Sequence, residues 1–519
     1  MNAFQDLMRI QTFRSCRNAA RACQRLNMST QAAGDSSRAS PAITSGTGDI
    51  SSTAFWGRTS ITAQLWAERR KALVDIPDPT CASTPGAIKH RLKDDKTAAE
   101  SRVVLSLPLK SDPLLRQQYE NFRGGVRFGR ILEDMDAVSG NVVFHHTLPR
   151  HLSLVTAAVD RLDLQEQIPL DEDLEFRGRL TWCGRSSMEC QVALVSVGAS
   201  SCLSSYLCKA TFVFVALDPQ TGRSTKVPTL IADDPDDERL FSEGEQNKKR
   251  RKHQQEHALE HRPPSEAEIH LIHEFFRHRA QLFQSVQPIQ RGCDATTSSA
   301  FIEESCLPSP PQTGGASALA GGVDRGDPFV SLKSTQMQSV VVCHPQERNT
   351  RGKIFGGYLM RQAYELAFST ASMFFGPLAT VHLYAADEIV FHHPVEIGSV
   401  LTFTAKVVYT PIDSGDSGSR GGSSRVQPPS LADHACQMKV ACLVTHFGQN
   451  KQYLSNTFHF TFTSSLNGQG QGAAGTGNGC QGVHVRPESY EEAMEWVDGR
   501  RRFLRSKALS EGMPTEELT

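Results

Sequence analysis

Apolar and polar positions alternate with a period of two in several short runs, and twice the alternation gives way to a longer stripe of helical period. The first set begins with a predicted strand over Val103–Leu107 and a helix over 130–145. Strands follow over 154–164, 174–182, 188–197 and 206–217. The second set repeats the order: a strand over 339–343, a helix over 357–375, then strands over 381–391, 400–409, 436–445 and 453–462. Each copy reads β-α-β-β-β-β, and such an internal repeat constrains the fold more than any single motif. In the second helix, Leu359, Ala363, Leu366, Ala367, Thr370 and Phe374 form a broad apolar stripe. Further apolar residues lie off it, as in a helix covered on most sides. The expected class is α+β, each copy a long helix wrapped by an antiparallel sheet.

Between these sets the patterning breaks down. Residues 35–55 are rich in Ser, Thr and Gly and are expected to be disordered, and a helix is predicted over 61–73. A second break runs from Asp233 to about Pro264. It holds the acidic run from Asp233 to Glu238 and the basic run from Lys248 to Lys252, read as solvated charge in a polar linker. A helix over 265–283 follows, opened by Ser265 and Glu268 at capping-box spacing. The expected plan is a transit peptide over 1–40, a linker over 41–100 and a first domain over 101–232. A linker over 233–330 carries the 265–283 helix. A second domain spans 331–465 with an insert at 412–431, and a linker and C-terminal helix fill 466–519. Both 235–262 and 412–431 are expected to be exposed and mobile.

Composition narrows the function classes. The 519 residues carry 55 Lys plus Arg against 56 Asp plus Glu, and this balance argues against a nucleic acid as the main partner. The 13 cysteines are scattered without C-x-x-C spacing, which reads as reduced thiols. No membrane span is expected. The weakly charged stretch 188–217 contains Glu189 and Lys209 and is cut by Gly198 and the serines after it, so it reads as two buried strands. Before Asp35 the only acid is Asp6, while Arg14, Arg17, Arg21 and Arg25 recur at helical spacing. That is the composition of an organelle transit peptide.

Two places hold candidate chemistry. Gly356 and Gly357 begin the second helix, where paired glycines let backbone or ligand come close and first-turn amides can receive an oxygen. The first helix carries Asp136 on the same stripe as Leu132, Ser139 and Val143. A carboxylate there must find partners or hold a raised pKa, as at catalytic sites. Glu133 and Asp134 stand three and four residues from Arg130 and are expected to pair with it. The segment from Gly415 to Gly418 resembles a serine-protease nucleophile only superficially, and no G-x-S-x-G elbow occurs.

Several stretches resemble the mitochondrial acyl-CoA thioesterase 9 family: Val126 to Asp136, Leu180 to Glu189, Cys343 to Asn349, Phe391 to Val395 and Asp498 to Arg501. Gly352 to Gly357 is similar to the helix start of hotdog-fold acyl-CoA thioesterases. The resemblance covers about residues 100–240, 263–283 and 330–503. It implies two hotdog domains in tandem that hydrolyse acyl-CoA at the seam between them, with no metal or redox cofactor and with CoA as part of the substrate. It implies Asp136 as general base, with Gly357 and Asn349 beside it in the catalytic set. Gly356, Lys353 and Phe355 would lie against the substrate. The first helix has Gly129-Arg130 where a double glycine is expected, so one working site per pair of domains is implied. Related enzymes carry Asn or Asp just before the Ile-Phe-Gly-Gly element, where this chain has Gly352-Lys353. Asn349 is then the nearest polar substitute, and Lys353 an alternative partner for an oxyanion or a CoA phosphate. The resemblance places the chain in mitochondria (matrix), with plastids as the alternative, and implies a homo-oligomer. Two competing readings are a hotdog hydratase or dehydratase using His145 or His146, and an acyl-CoA-binding module without catalysis.

Overall fold

The computed structural model describes residues 60–75, 95–150, 152–165, 167–197, 206–256, 258–259, 262–285, 329–349, 352–377, 379–411, 434–448, 451–466 and 483–510. The expected transit peptide and the 412–431 insert lie outside the described residues, as does the Gly415–Gly418 segment.

In the first half, helix α1 (Ser60–Asp75), strand β1 (Asp95–Thr97), strand β2 (Val103–Leu107) and helix α2 (Pro113–Tyr119) lead into the long helix α3 (Phe128–Thr147). Four strands follow: β3 (Ser153–Leu164), β4 (Leu174–Cys183), β5 (Ser187–Ser196) and β6 (Cys208–Leu217). Then come β7 (Thr229–Ile231), α4 (Pro235–Glu256) and α5 (Glu266–Ser285). The second half opens with β8 (Phe329–Ser331) and β9 (Met337–Val342), followed by the long helix α6 (Gly356–Phe375). Strands β10 (Ala379–Ala386), β11 (Ile389–Phe391), β12 (Ser399–Tyr409), β13 (Ala435–His446) and β14 (Lys451–Leu466) wrap it. Strand β15 (His484–Arg486) and helix α7 (Tyr490–Ser510) close the described chain.

The repeat is therefore present: a long helix wrapped by an antiparallel sheet, twice, as two hotdog units. The sheets join into one 11-stranded sheet in the order β2-β4-β5-β6-β3-β10-β14-β13-β12-β9, with β11 pairing β14 and β3. At the junction Leu162 pairs with Ala386, and Val159 with Ile389. Helix α3 is buried over 17 of its 20 residues, including Glu133, Asp134, Asp136, Ser139 and Asn141. So many polar groups in a wrapped helix each need a partner, which confines them to the few faces where another element meets α3.

Three expectations need correction. Residues 235–256 form a docked helix, not a mobile linker, and the basic run is not all solvated. Arg251 reaches the buried carboxylates of Asp160 (2.6 Å) and Glu189 (2.9 Å), and Lys248 lies over the Trp182 ring. The compensation of those carboxylates sets the position of α4. The predicted 381–391 strand is two strands, because Asp387 turns inward to accept from Ser506 Oγ (3.1 Å) beneath α7. The helix predicted over 61–73 forms as α1, but it packs on α3 with Ile61 and Leu65 buried instead of lying in a linker. The capping box at α5 forms as predicted: Ser265 N–H donates to Glu268 Oε2 (2.7 Å) and Glu268 N–H to Ser265 Oγ (3.4 Å).

Candidate active site

Helix α6 starts at Phe355-Gly356-Gly357 without a capping side chain of its own. Its first-turn amides lack intrahelical partners and must be satisfied from elsewhere. The structure satisfies one from the other hotdog unit: Gly357 N–H donates to Asp136 Oδ2 at 2.7 Å. The glycines permit this approach. A Cβ on Gly356 would stand 3.2 Å from Asp136 Oδ2, and one on Gly357 would stand 3.0 Å from the Glu133 carbonyl oxygen.

Asp136 Oδ1 accepts from Thr156 Oγ1 on β3 at 3.2 Å, and the side chain is buried. Burial pushes its carboxyl up to about 6, against the lowering effects of the Gly357 amide, the Thr156 hydroxyl and the Arg69 charge. A carboxylate poised there can take a proton near neutral pH. One turn earlier, burial raises Glu133 to about 7, and its Oε2 faces Arg361 of α6 (3.1 Å) and Arg130 (3.4 Å). Arg130 therefore pairs with Glu133 as expected. Asp134 accepts from Tyr119 Oη (2.5 Å) and Thr62 Oγ1 (3.0 Å), contacts that helical spacing did not reveal.

The remaining expected site residues lie in the loop before α6. Asn349 Oδ1 accepts from Lys353 N–H (3.1 Å), and Asn349 N–H donates to the Lys353 carbonyl (2.6 Å), so Asn349 braces the turn at Gly352, whose φ is +74°. Lys353 Nζ pairs with Glu396, between β11 and β12, which commits its charge to that contact. Phe355 donates its N–H to the Glu347 carbonyl (2.9 Å), and its ring packs against Gly357. His146 Nε2 contacts the Pro228 carbonyl (3.0 Å) and Cys183 Sγ (3.5 Å) at the far end of α3, away from Gly357. The residues that the sequence reading missed are Thr156 and Arg69. A strand threonine and a cation on a preceding helix carry no motif of their own.

Helices α3 and α6 have 20 residues each. Aligned from their first residues, Gly129 matches Gly357, Glu133 matches Arg361 and Asp136 matches Tyr364. The Glu133–Arg361 pair thus joins equivalent positions, near the local twofold relation. At the counterpart seam the position of Asp136 is held by Tyr364, and the carboxylate beside Gly129 is that of Glu365, whose Oε1 is 3.4 Å from where a Gly129 Cβ would stand. Tyr364 meets Phe128 edge to face with ring centroids 5.3 Å apart, and Arg127 pairs with Glu365 (2.7 Å). A cleft of about 1710 Å³ borders that second seam, lined by Phe128, Tyr364, Glu365, Phe368 and Ser369. The Asp136 side of α3 is covered by α1.

No protein-family model matches the sequence. The Homo sapiens protein named mitochondrial acyl-coenzyme A thioesterase 9 is 31% identical over 448 residues, 84% of this chain and 84% of its own length. The Bos taurus protein of the same name is 32% identical over 415 residues, 79% of this chain and 78% of its own. Chloroplastic acyl-coenzyme A thioesterase 2 of Humulus lupulus is 31% identical over 444 residues, 83% and 86% of the two chains.

Proposed function

The chain belongs to the acyl-CoA thioesterase 9 family and hydrolyses acyl-CoA thioesters to a free acid and CoA, and on that premise we propose that Asp136 activates the water. One observation carries the assignment: a buried carboxylate of the first unit sits 2.7 Å from the first-turn amide of the second unit's helix. In the resting enzyme that amide binds Asp136 itself. A thioester carbonyl that takes the Gly357 N–H displaces Oδ2, which is then free to accept a proton from water. Substrate binding and base activation are coupled through one donor. The developing oxyanion then lies at a helix N-terminus, where backbone dipoles favour negative charge. Water attacks the carbonyl carbon and its proton passes to Asp136; as the C–S bond breaks, that proton goes on to the departing sulfur, which releases CoA as the thiol and returns the carboxylate. Phe355 and Gly356 form the wall beside the thioester, and Asn349 holds the loop that presents them. No metal or redox group takes part in this scheme.

A panel of thioesters from acetyl-CoA to palmitoyl-CoA, assayed for free thiol, tests the activity with the Asp136→Asn protein beside it. Thiol release by the unsubstituted protein and its loss in the variant are expected. Binding of CoA without thiol release would return the protein to a non-catalytic binding module. His146 is bonded to Pro228 far along α3, which leaves the hydratase reading with His145 as its candidate.

The protein is mitochondrial, the compartment carried in the names of its human and bovine relatives. The matrix placement rests on the Arg-rich start, and a reporter fused to residues 1–40 tests it. Plastid fluorescence, the compartment in the Humulus lupulus name, would overturn it. Among the described residues no helix is long and apolar enough to cross a membrane. The joined sheet ends in strands β2 and β9, with Val104 and Val340 exposed there, and unpaired edges of this kind support homo-oligomer formation.

A further inference from the structure

We infer that Arg69, on a helix preceding the first hotdog unit, is a positioning residue for Asp136: it clamps the α3 turn that carries the carboxylate and sets a fixed positive charge beside it. The inference rests on Asp136 being the base. Arg69 Nε donates to Asn141 Oδ1 at 2.5 Å, and Nη2 donates to the Ala137 carbonyl at 2.6 Å. Ala137 directly follows Asp136, so the guanidinium grips the backbone at the carboxylate's own turn. A second anchor from α1, Thr62 Oγ1 to Asp134 Oδ1, lies on the other side of Asp136 in sequence. Ile61 and Leu65 bury the face of α1 between these anchors.

Gly140 is what admits the guanidinium. A Cβ there would stand 2.8 Å from Arg69 Nη2. The equivalent position on α6 is Phe368, and the Ala137 and Asn141 equivalents are Glu365 and Ser369. Those three line the open cleft at the second seam. The seam that holds Asp136 has α1 packed beside it, and the seam that holds Tyr364 at the matching position has an open cleft.

The groups that act on Asp136 from neighbouring elements are the Gly357 amide on α6, the Thr156 hydroxyl on β3 and Arg69 on α1. Cys190 on β5 also lies within its field, with a thiol pushed well up by burial and therefore neutral. Of these only Arg69 is cationic. Beside Arg69 itself stand Glu68 and His145. Burial lowers the guanidinium to about 10, which leaves it charged at neutral pH. A cation near a carboxylate favours its ionised form, and the ionised form is the one that accepts a proton.

The test is the pH dependence of single-turnover hydrolysis by the full chain, with the fastest acyl-CoA of the panel. Arg69→Gln is expected to move the acidic limb up by about one pH unit, so the rate at pH 6 falls roughly fivefold while the alkaline plateau stays within about threefold. Arg69→Lys, which keeps the charge, is expected to return the limb toward its original position. A limb that stays in place in Arg69→Gln, or that Lys fails to restore, overturns the inference. Should Arg69→Gln fail to fold, Gly140→Ala decides. The added Cβ makes the guanidinium give way, so an upward shift is expected, and a limb that stays in place while the Arg69 guanidinium is shown by its nitrogen-15 resonances to have moved refutes the role. Asp136→Asn, measured in parallel, separates the premises. If that variant turns over normally, the base assignment itself falls. If it is inactive and the Arg69 limb does not move, only the positioning role falls.

Discussion

At the scale of single residues, Asp136 ties activity and stability together with opposite signs. Its folded pKa of about 6 lies above the unfolded value near 3.8, so ionising it costs the folded state. That cost appears as pH rises through the unfolded value toward the folded one, and it persists at neutral pH. The proposed base must be ionised to work, so kcat/KM should fall as pH drops through about 6 and level off above it. Asp136→Asn is expected to lower kcat by about 10²- to 10⁴-fold with KM little changed. The same variant should unfold at a higher temperature than the parent at pH 7.5, because it removes a buried charge while an amide oxygen can still accept from Gly357. A lower melting temperature with normal turnover of the folded fraction would make Asp136 a structural anchor. Glu133, raised to about 7 but held by Arg361 and Arg130, is the other carboxyl that could shape the acidic limb. Glu133→Gln should leave the limb near 6 in place. Periodicity was enough to single out Asp136 from Asp134. It could not find the Tyr119 and Thr62 hydroxyls that hold Asp134, because those come from other elements.

At the scale of elements, α4 shows how a charged segment becomes structural. Its acids and bases have no helical apolar stripe, which is why its composition reads as a linker. Yet Arg251 lies between Asp160 and Glu189, 5% and 2% exposed, whose burial raises both carboxyls despite the nearby cation. Arg251→Gln would leave two buried carboxylates without their shared guanidinium. Breaking a buried pair from one side costs about 3–5 kcal/mol, and urea unfolding should show a loss of that order. A loss under about 0.5 kcal/mol would mean that α4 is held by its other contacts, such as Trp182 Nε1 to Glu245. The α5 capping box shows the opposite case. Its Ser265–Glu268 spacing is local, so it was readable in advance, whereas the bidentate grip of Arg501 on Glu268 was not.

At the scale of the whole molecule, the two hotdog units are alike in order and unlike in chemistry. The first-turn glycine of each helix faces the other helix; at Gly357 the amide donates to Asp136, whereas beside Gly129 the carboxylate is Glu365, which pairs with Arg127. The mate of Asp136 is Tyr364, packed on Phe128. Tyr364→Phe keeps that packing and should leave kcat within about twofold of the parent. A loss beyond tenfold in a stably folded variant would give the second seam a part in the reaction. The continuous sheet, with β3 paired to β10 and β11, fixes the distance between the units and so the 2.7 Å contact.

By itself the sequence determined the repeat, the wrapped helices and the two groups that meet between the units, Asp136 and Gly356-Gly357. Those features are carried by period, glycine placement and spacing, all of which act within one element. Only the tertiary structure decided that the Gly357 amide donates directly to Asp136, that Lys353 pairs with Glu396 between β11 and β12, and that Arg69 and Thr156 complete the carboxylate's surroundings. Each of those is a contact between residues distant in the chain. The physical reason is that a buried polar group takes whatever partner packing brings within about 3 Å, and only the packed chain fixes which partner that is.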